Sequence, residues 1–219
     1  SGFEISQEID LDNDDEIRSR AELTRYLGKQ FQGPCQQMQS NLQGMASKAY
    51  LDFPLNQNQA MPSVPYGPYA ELYQRLVEAN IIVWDGSSQQ ICFQSEDACR
   101  YLAGRWLEEL TYLTACECGF EQVAMSVEGI WSGSSVKLNS ERGKNNEFDI
   151  LICHNNQLLI IECKAKSWYE RQKDESTNQD VVLKLESLGR KLGGIYGERL
   201  LISARQLPDE MVQRAKDNR

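Results

Sequence analysis

The chain has 219 residues, of which 41 % are hydrophobic and 25 % are charged, and its formal net charge is −9. These fractions are typical of a soluble globular protein and argue against extended disorder. No apolar run approaches the roughly 20 residues that cross a bilayer, and the acidic balance argues against non-specific coating of nucleic acid. We therefore expect a cytoplasmic protein without a membrane partner. The seven cysteines accompany a single histidine, which favours buried thiols in a reducing compartment over a zinc site.

The first 94 residues carry the weaker patterns. Residues 1–20 are acidic and weakly periodic, which predicts a linker or the start of a helix. Residues 31–69 are rich in Gln, Asn, Pro and Gly and predict loops with short helical pieces. Helical spacing over 69–79 then leads into two apolar runs joined by an Asp85-Gly86 turn. We assign 1–94 to a linker and a small winged-helix-like α+β region, with a simple α/β support layer as the alternative.

From Ser95 onward the periodicity strengthens. Ser95 is a candidate cap for a helix that ends near Gly119. Strands are predicted at 123–131, 148–153, 158–163 and 200–203, and helices at 184–192 and 208–214. This order is not a strict alternation of strands and helices, so it predicts a mixed sheet flanked by helices. We assign residues 95–219 to this α/β domain.

A glutamate and a lysine, Glu162 and Lys164, end an otherwise apolar strand face, because side chains two positions apart share a face. Burying them without partners would be costly. Asp149 begins the preceding strand, so the hairpin returns the chain to it. Two carboxylates suit Mg²⁺ or Mn²⁺, which prefer oxygen ligands, and the backbone carbonyl of Cys163 is a further candidate ligand. Lys164 could orient a water or stabilise the phosphate transition state; an ordinary edge ion pair is the alternative.

The pattern of Asp149, a turn, and Glu162-x-Lys164 on the next apolar strand resembles the PD-(D/E)XK nuclease superfamily. This resemblance implies a restriction-endonuclease-like fold. A narrower resemblance covers about residues 95–205. It is to CRISPR ancillary nucleases, which carry a sensor (CARF) domain for cyclic oligoadenylate before the nuclease. The segments that carry it are 104–108, 146–149, 161–164, 184–188 and 192–194.

The narrower resemblance implies an endonuclease of antiviral defence that cuts DNA, in some members RNA, and that forms a homodimer. It also implies activation by cyclic tetra-adenylate. No segment before residue 95 has the pattern of a doubly wound sensor domain. We therefore expect cyclic tetra-adenylate as a partner only if a sensor lies outside this chain. The opening Ser-Gly without Met is consistent with a longer protein.

Several acidic and basic residues are secondary candidates. The family pattern selects Glu108 as the first-helix carboxylate that supports catalysis and the metal, whereas the helical wheel places Glu109 on the apolar face. Glu147 has the same strand parity as Asp149, and Lys184 is a candidate phosphate contact. A solvated surface charge is the alternative for each.

Two other functions remain open from the sequence. One is a restriction or repair nuclease of the same superfamily. The other is a non-catalytic nucleic-acid-binding module that uses the Asp85-Gly86 hairpin as a wing.

Overall fold

A computed structural model describes residues 2–31, 33, 35–131, 146–165, 175–192 and 197–217. The chain divides into two compact units, one of Glu16–Leu110 and one that combines Ser1–Asp15 with Thr111–Arg219. This division differs from the single boundary expected at residue 95: the first unit extends to Leu110, and residues 1–15 belong to the other unit because an N-terminal strand joins its sheet. Across the described ranges, no helix combines the length and apolar character that crossing a membrane requires.

The strands and helices of the described residues follow in chain order. The strands are β1 (Phe3–Ile9), β2 (Asn58–Ala60), β3 (Ile82–Val83), β4 (Gln90–Phe93), β5 (Gln122–Trp131), β6 (Asn146–His154), β7 (Gln157–Lys164) and β8 (Glu198–Ser203). The helices are α1 (Asp15–Ser19), α2 (Ala21–Phe31), α3 (Gln36–Leu51), α4 (Pro68–Glu78), α5 (Glu96–Arg100), α6 (Trp106–Glu117), α7 (Glu175–Leu192) and α8 (Asp209–Asp217).

The unit that contains the C-terminal residues is built on a five-stranded mixed sheet with the order β1-β5-β6-β7-β8. β7 and β8 are parallel, and the other neighbours are antiparallel. The strands predicted from 123 to 203 are confirmed, as is the mixed sheet flanked by helices. Buried Ile160 of β7 shares a core cluster with Leu185 and Leu188, so α7 packs against the sheet.

The prediction of a linker or helix start over residues 1–20 is wrong for β1. This strand pairs antiparallel with β5, and the Phe3 ring meets the Phe148 ring edge to face at 5.4 Å. β1 is an edge strand, and even its apolar Ile5 is 52 % exposed. Edge strands carry polar and charged residues because one side meets solvent. Because of this polar composition, the hydrophobic pattern of the sequence did not predict the strand.

The prediction of loops for residues 31–69 is also wrong, because α3 spans 16 of these residues. The buried face of α3 includes two glutamines. Gln39 Nε2 donates to the carbonyl of Leu27 at 3.0 Å, and Gln43 Nε2 donates to the carbonyl of Ala103 at 2.8 Å. These hydrogen bonds offset the cost of burying amides. Because these buried positions are polar, the sequence lacks the apolar periodicity that would have predicted α3.

The helix and hairpin predicted for the first unit are confirmed. α4 begins at Pro68, and β3 pairs with β4 in a three-stranded sheet of order β2-β4-β3. In the connecting turn, Asp85 Oδ1 accepts from the backbone N–H groups of Ser87 at 2.9 Å and Ser88 at 2.7 Å, and Gly86 has φ +83°. The element order is that expected of a winged-helix-like region.

The helix predicted to follow Ser95 is present but kinked. Ser95 Oγ accepts from the N–H of Ala98 at 3.0 Å and caps α5. A π-helical turn over Tyr101–Arg105, broken at Gly104, separates α5 from α6. The carbonyl of Ala103 in this turn accepts the hydrogen bond from Gln43 noted above. α6 ends at Glu117, close to the predicted end at Gly119.

Candidate active site

The hairpin of β6 and β7 positions the predicted reactive residues. Its turn consists of Asn155 and Asn156, both with positive φ (50° and 59°), so His154 pairs with Gln157. Two-residue turns of this conformation match the right-handed twist of paired strands and fix their register. From His154–Gln157 the ladder runs back to Ile150–Ile161. Asp149 and Glu162 occupy the positions immediately beyond its last pair.

Beyond the last backbone pair of β6 and β7, the Asp149 side chain makes the next hydrogen bond between the two strands. Its Oδ2 accepts a hydrogen bond from the backbone N–H of Cys163 at 2.6 Å. A charged acceptor makes such a bond short and strong. The contact holds the carboxylate against β7 and satisfies a backbone donor that no longer pairs with β6. The predicted proximity of Asp149 to the Glu162–Lys164 segment is therefore present in the structure.

Glu162 and Lys164 form an ion pair on one face of β7. Lys164 Nζ lies 2.6 Å from Glu162 Oε1. Glu162 is buried, with 8 % of its surface exposed, while the Lys164 side chain keeps 34 %. Parallel pairing with β8, opposite Leu201 and Ser203, fixes the backbone at both residues. The lysine thus presents its ammonium at the edge of the site while the glutamate stays inside.

Burial and a neighbouring carboxylate perturb Asp149. Burial has the largest effect, and together with the charge of Glu162 it raises the pKa of Asp149 to about 6. Lys164 and the Cys163 N–H act in the opposite direction, and Glu147 adds a weaker raising effect. Two carboxylates that repel each other in a buried site favour either a shared proton or a bound cation.

The donor set fits a hard divalent cation. It consists of carboxylate oxygens of Asp149 and Glu162, with the backbone carbonyl of Cys163 between Glu162 and Lys164 in the chain. Mg²⁺ and Mn²⁺ prefer such oxygen ligands, and Mg²⁺ keeps several waters. Among the described residues, no group of three or more His, Cys, Asp or Glu side chains could hold a metal ion. Two side-chain carboxylates therefore require a carbonyl, waters or substrate to complete the coordination.

Glu147 and Lys184 lie close to this hairpin. Glu147 is exposed on β6, two positions before Asp149. Lys184 Nζ is 3.5 Å from the backbone carbonyl oxygen of Glu147, a long contact that places the ammonium of α7 near the start of β6. The Lys184 side chain is exposed, so its role as a phosphate contact stays a prediction.

The two glutamates of α6 have different surroundings within the Glu16–Leu110 unit. Glu109 is fully buried, and both of its carboxylate oxygens accept from Arg20, with Nε–Oε2 at 2.9 Å. Arg105 Nε lies 3.4 Å from Glu109 Oε1. Burial raises the pKa of Glu109, and both arginines oppose that shift. Glu109 thus sits on the face predicted by the helical wheel, but its oxygens are engaged by arginine. Glu108 is half-buried, and its catalytic role stays a prediction.

Sequence reasoning missed a contact behind Cys163. The Cys163 Sγ lies 3.5 Å from Thr111 Oγ1 of α6, and both side chains are buried. A thiol–hydroxyl contact is weak. Its partner Cys163 nevertheless donates its N–H to Asp149, so Thr111 supports the strand segment on which the site depends. No motif signals it, because Thr111 and Cys163 are 52 residues apart.

Comparison with known proteins identifies the family. The family model described as the Card1-like endonuclease domain matches residues 95–219. The chain belongs to this family. The match to the Card1-like endonuclease domain confirms a nuclease, and it confirms the resemblance to CRISPR-linked nucleases of the PD-(D/E)XK type. A comparison with curated proteins finds no match.

Two solved structures share the fold of this Card1-like chain. Protein VC1899 from Vibrio cholerae superposes with a TM-score of 0.73 at 23 % identity, over 99 % of this chain and 53 % of that one. Can2 from Sulfobacillus thermosulfidooxidans, solved in complex with cyclic tetra-adenylate, gives a TM-score of 0.70 at 18 % identity, over 99 % and 52 %. The chain therefore spans about half the length of either protein.

Proposed function

We propose that this domain hydrolyses phosphodiester bonds of DNA, and of RNA as a second substrate, with Mg²⁺ or Mn²⁺ as cofactor. The observation that carries the proposal is the convergence of the half-buried Asp149 and the buried Glu162 beside Lys164. The carboxyl of Asp149 is held by the Cys163 N–H at 2.6 Å, and burial together with the charge of Glu162 raises its pKa. A divalent cation would relieve this repulsion and bring a charge opposite to that of a phosphate.

The residues of the site have distinct roles in this proposal. Asp149, Glu162 and the Cys163 carbonyl would hold the ion, with Glu108 as a further candidate. When bound, such an ion neutralises phosphate charge and lowers the pKa of a coordinated water. Lys164 holds its ammonium beside Glu162 at 2.6 Å and is partly exposed, so it can donate to a phosphate oxygen as negative charge develops. The ion pair with the buried Glu162 orients that ammonium.

The biological setting is proposed at the level of the family. We place the activity in cytoplasmic CRISPR-linked antiviral defence, with a homodimer as the working assembly. Regulation by cyclic tetra-adenylate is proposed for a longer protein that carries a sensor domain outside this chain. The likeness to Can2, which was solved with that ligand and of which this chain matches about half, supports the proposal.

Cleavage of labelled single- and double-stranded DNA and RNA in Mg²⁺ or Mn²⁺ tests the proposed chemistry. Glu162→Gln and Lys164→Ala should abolish cleavage, while Glu198→Gln, an exposed glutamate of β8, should cleave like the wild type. Circular dichroism of each variant verifies that it folds. Wild-type cleavage by the Lys164→Ala variant in Mn²⁺ would refute the assignment. Metal-independent binding without turnover by the wild type would instead indicate a binding module.

A further inference from the structure

Arg199, on the same sheet face as the reactive residues, lies outside the proposed catalytic set. In the parallel pairing of β7 with β8, Ile160 stands opposite Arg199, and Glu162 stands opposite Leu201. Residues opposite each other in a sheet project from the same face, as do residues two apart in one strand. Arg199 therefore shares a face with Glu162. From strand spacing and rise, the two backbones are ~8 Å apart at these positions.

A glycine of α7 makes room for the Arg199 side chain. A Cβ atom added at Gly189 would overlap Cδ of Arg199 and would lie 2.7 Å from its Cγ and 3.2 Å from its Nε. The stem of the arginine thus lies directly on the helix at Gly189, and any larger residue would displace it. The position of the Arg199 side chain therefore depends on the absence of a side chain at Gly189, where α7 contacts β8.

The charge of Arg199 has no acidic partner within the described part of the chain, where neither a hydrogen bond nor an ion pair to it occurs. The residue is half-buried. Its neighbour on α7, Arg190, differs: it is 75 % exposed and pairs with Glu186 at 2.6 Å. A half-buried guanidinium without a carboxylate partner is suited to an anion, and its planar fork matches phosphate oxygens.

We propose that Arg199, seated on α7 at Gly189, binds a backbone phosphate of the nucleic-acid substrate next to the scissile one. The inference rests on the proposed function and adds a substrate-binding residue to it. The competing explanation is structural: a cation near the C-terminal end of α7 stabilises the helix dipole. A phosphate contact changes the salt dependence of binding, whereas a purely structural contact changes only folding stability.

The test measures binding separately from cleavage. Fluorescence anisotropy of a labelled 20-nucleotide DNA is recorded in EDTA across a salt series. Arg199→Gln should weaken binding about five- to tenfold at 0.1 M salt and reduce the slope of log K against log salt by about 1. Arg199→Lys should restore most of the slope, and Gly189→Ala should behave like Arg199→Gln. The matched control Arg190→Gln removes an equal charge from α7, the helix that Arg199 contacts, and should leave the slope unchanged.

Different results would overturn this inference and the proposed function. If the wild type binds and cuts DNA but Arg199→Gln keeps its slope and its KM, the inference is overturned while the nuclease assignment stands. The inference is also overturned if Arg190→Gln changes the slope as much as Arg199→Gln. If the wild type neither binds nor cuts any of the nucleic acids, both proposals fail.

Discussion

Two carboxylate sites in this chain, the buried Glu109 and the pair of half-buried Asp149 and buried Glu162, have opposite charge surroundings. Glu109 is fully buried, and Arg20 contacts both of its oxygens while Arg105 lies 3.4 Å away. In the sheet unit, Asp149 and Glu162 repel each other, and Lys164 pairs with Glu162 at 2.6 Å. Two guanidinium groups thus lie against the first carboxylate, and one of them, Arg20, also pairs with Asp97 at 2.7 Å. Among the described residues, the second site pairs Glu162 with the ammonium of Lys164.

The difference shows why burial alone does not identify a reactive carboxylate. A buried carboxylate whose two oxygens both accept from guanidinium groups needs no further cation. Removing either partner of such an ion pair leaves a buried charge without compensation. A buried pair that repels itself is incomplete without a proton or a cation. On this criterion Glu109 stabilises the fold, whereas Asp149 and Glu162 are the residues for which we propose metal binding.

The largest expected effect is on cleavage, from Asp149→Asn. The substituted amide oxygen still accepts from the Cys163 N–H, but the charge that would hold a cation is gone. We expect single-turnover cleavage to fall by about 10²–10³-fold. The free energy of unfolding, from urea titration, should stay level or rise because repulsion with Glu162 is removed. Full cleavage, or a large loss of stability, would contradict the comparison.

Glu109→Ala should show the opposite pattern. It leaves Arg20 buried without its main partner, and we expect the free energy of unfolding to fall by about 3–5 kcal/mol. Cleavage well below the melting temperature should stay within about tenfold of the wild type. Glu117→Ala removes an exposed glutamate from the same helix and should change stability by no more than about 0.5 kcal/mol. Equal losses of stability in Glu109→Ala and Glu117→Ala would contradict a structural role for Glu109.

A third expected effect follows from the pKa of Asp149, raised to about 6 by burial and by Glu162. At subsaturating Mg²⁺, cleavage should fall about tenfold per pH unit below pH 6, because a protonated carboxyl no longer binds the cation. Stability of the metal-free protein should change in the other direction. Between about pH 4 and pH 6 the folded state holds a proton that the unfolded chain has lost, so stability falls as pH rises.

The control for this pH dependence is Asp149→Asn. Its unfolding free energy, measured in EDTA, should lack the decline between pH 4 and pH 6 that the wild type shows. If wild type and variant have parallel stability profiles across that range, another group is responsible and the raised pKa of Asp149 is wrong.

The smallest expected effect concerns Thr111, which lies behind Cys163. Thr111→Val preserves shape but removes the hydroxyl 3.5 Å from Cys163 Sγ. Because this thiol–hydroxyl contact is weaker than an ordinary neutral hydrogen bond, which contributes about 0.5–1.5 kcal/mol, kcat should fall by only about 2-fold. Thr114→Val, at an exposed position of the same helix, should leave kcat unchanged. An unaffected kcat in Thr111→Val would show that this contact does not support the site.

The reactive hairpin could be predicted because its information is local. Alternation on β6 and β7 marks the strands, and a two-residue turn fixes their register, so Asp149 is brought to Glu162 across few residues. The Arg20–Glu109 pair joins positions 89 residues apart, and no local pattern announces it. The same limit conceals Thr111, whose only signal is its contact with Cys163 in the folded chain.

Two elements escaped prediction because their residues contradict the usual patterns. β1 is polar because it lies at a sheet edge, and α3 is polar because glutamines on its buried face hydrogen-bond to backbone carbonyls. Hydrophobic periodicity assumes that buried positions are apolar. Where a polar side chain has a partner across the fold, that assumption fails, although the helix itself is regular.

The central claim is tested most directly by measuring Mn²⁺ binding, by titration calorimetry at pH 7.5 without nucleic acid. The wild type and the Glu198→Gln control should bind Mn²⁺ with the same affinity. Asp149→Asn and Glu162→Gln should each lower that affinity by at least about tenfold. Wild-type affinity in both of these variants would show that Asp149 and Glu162 are not the metal site.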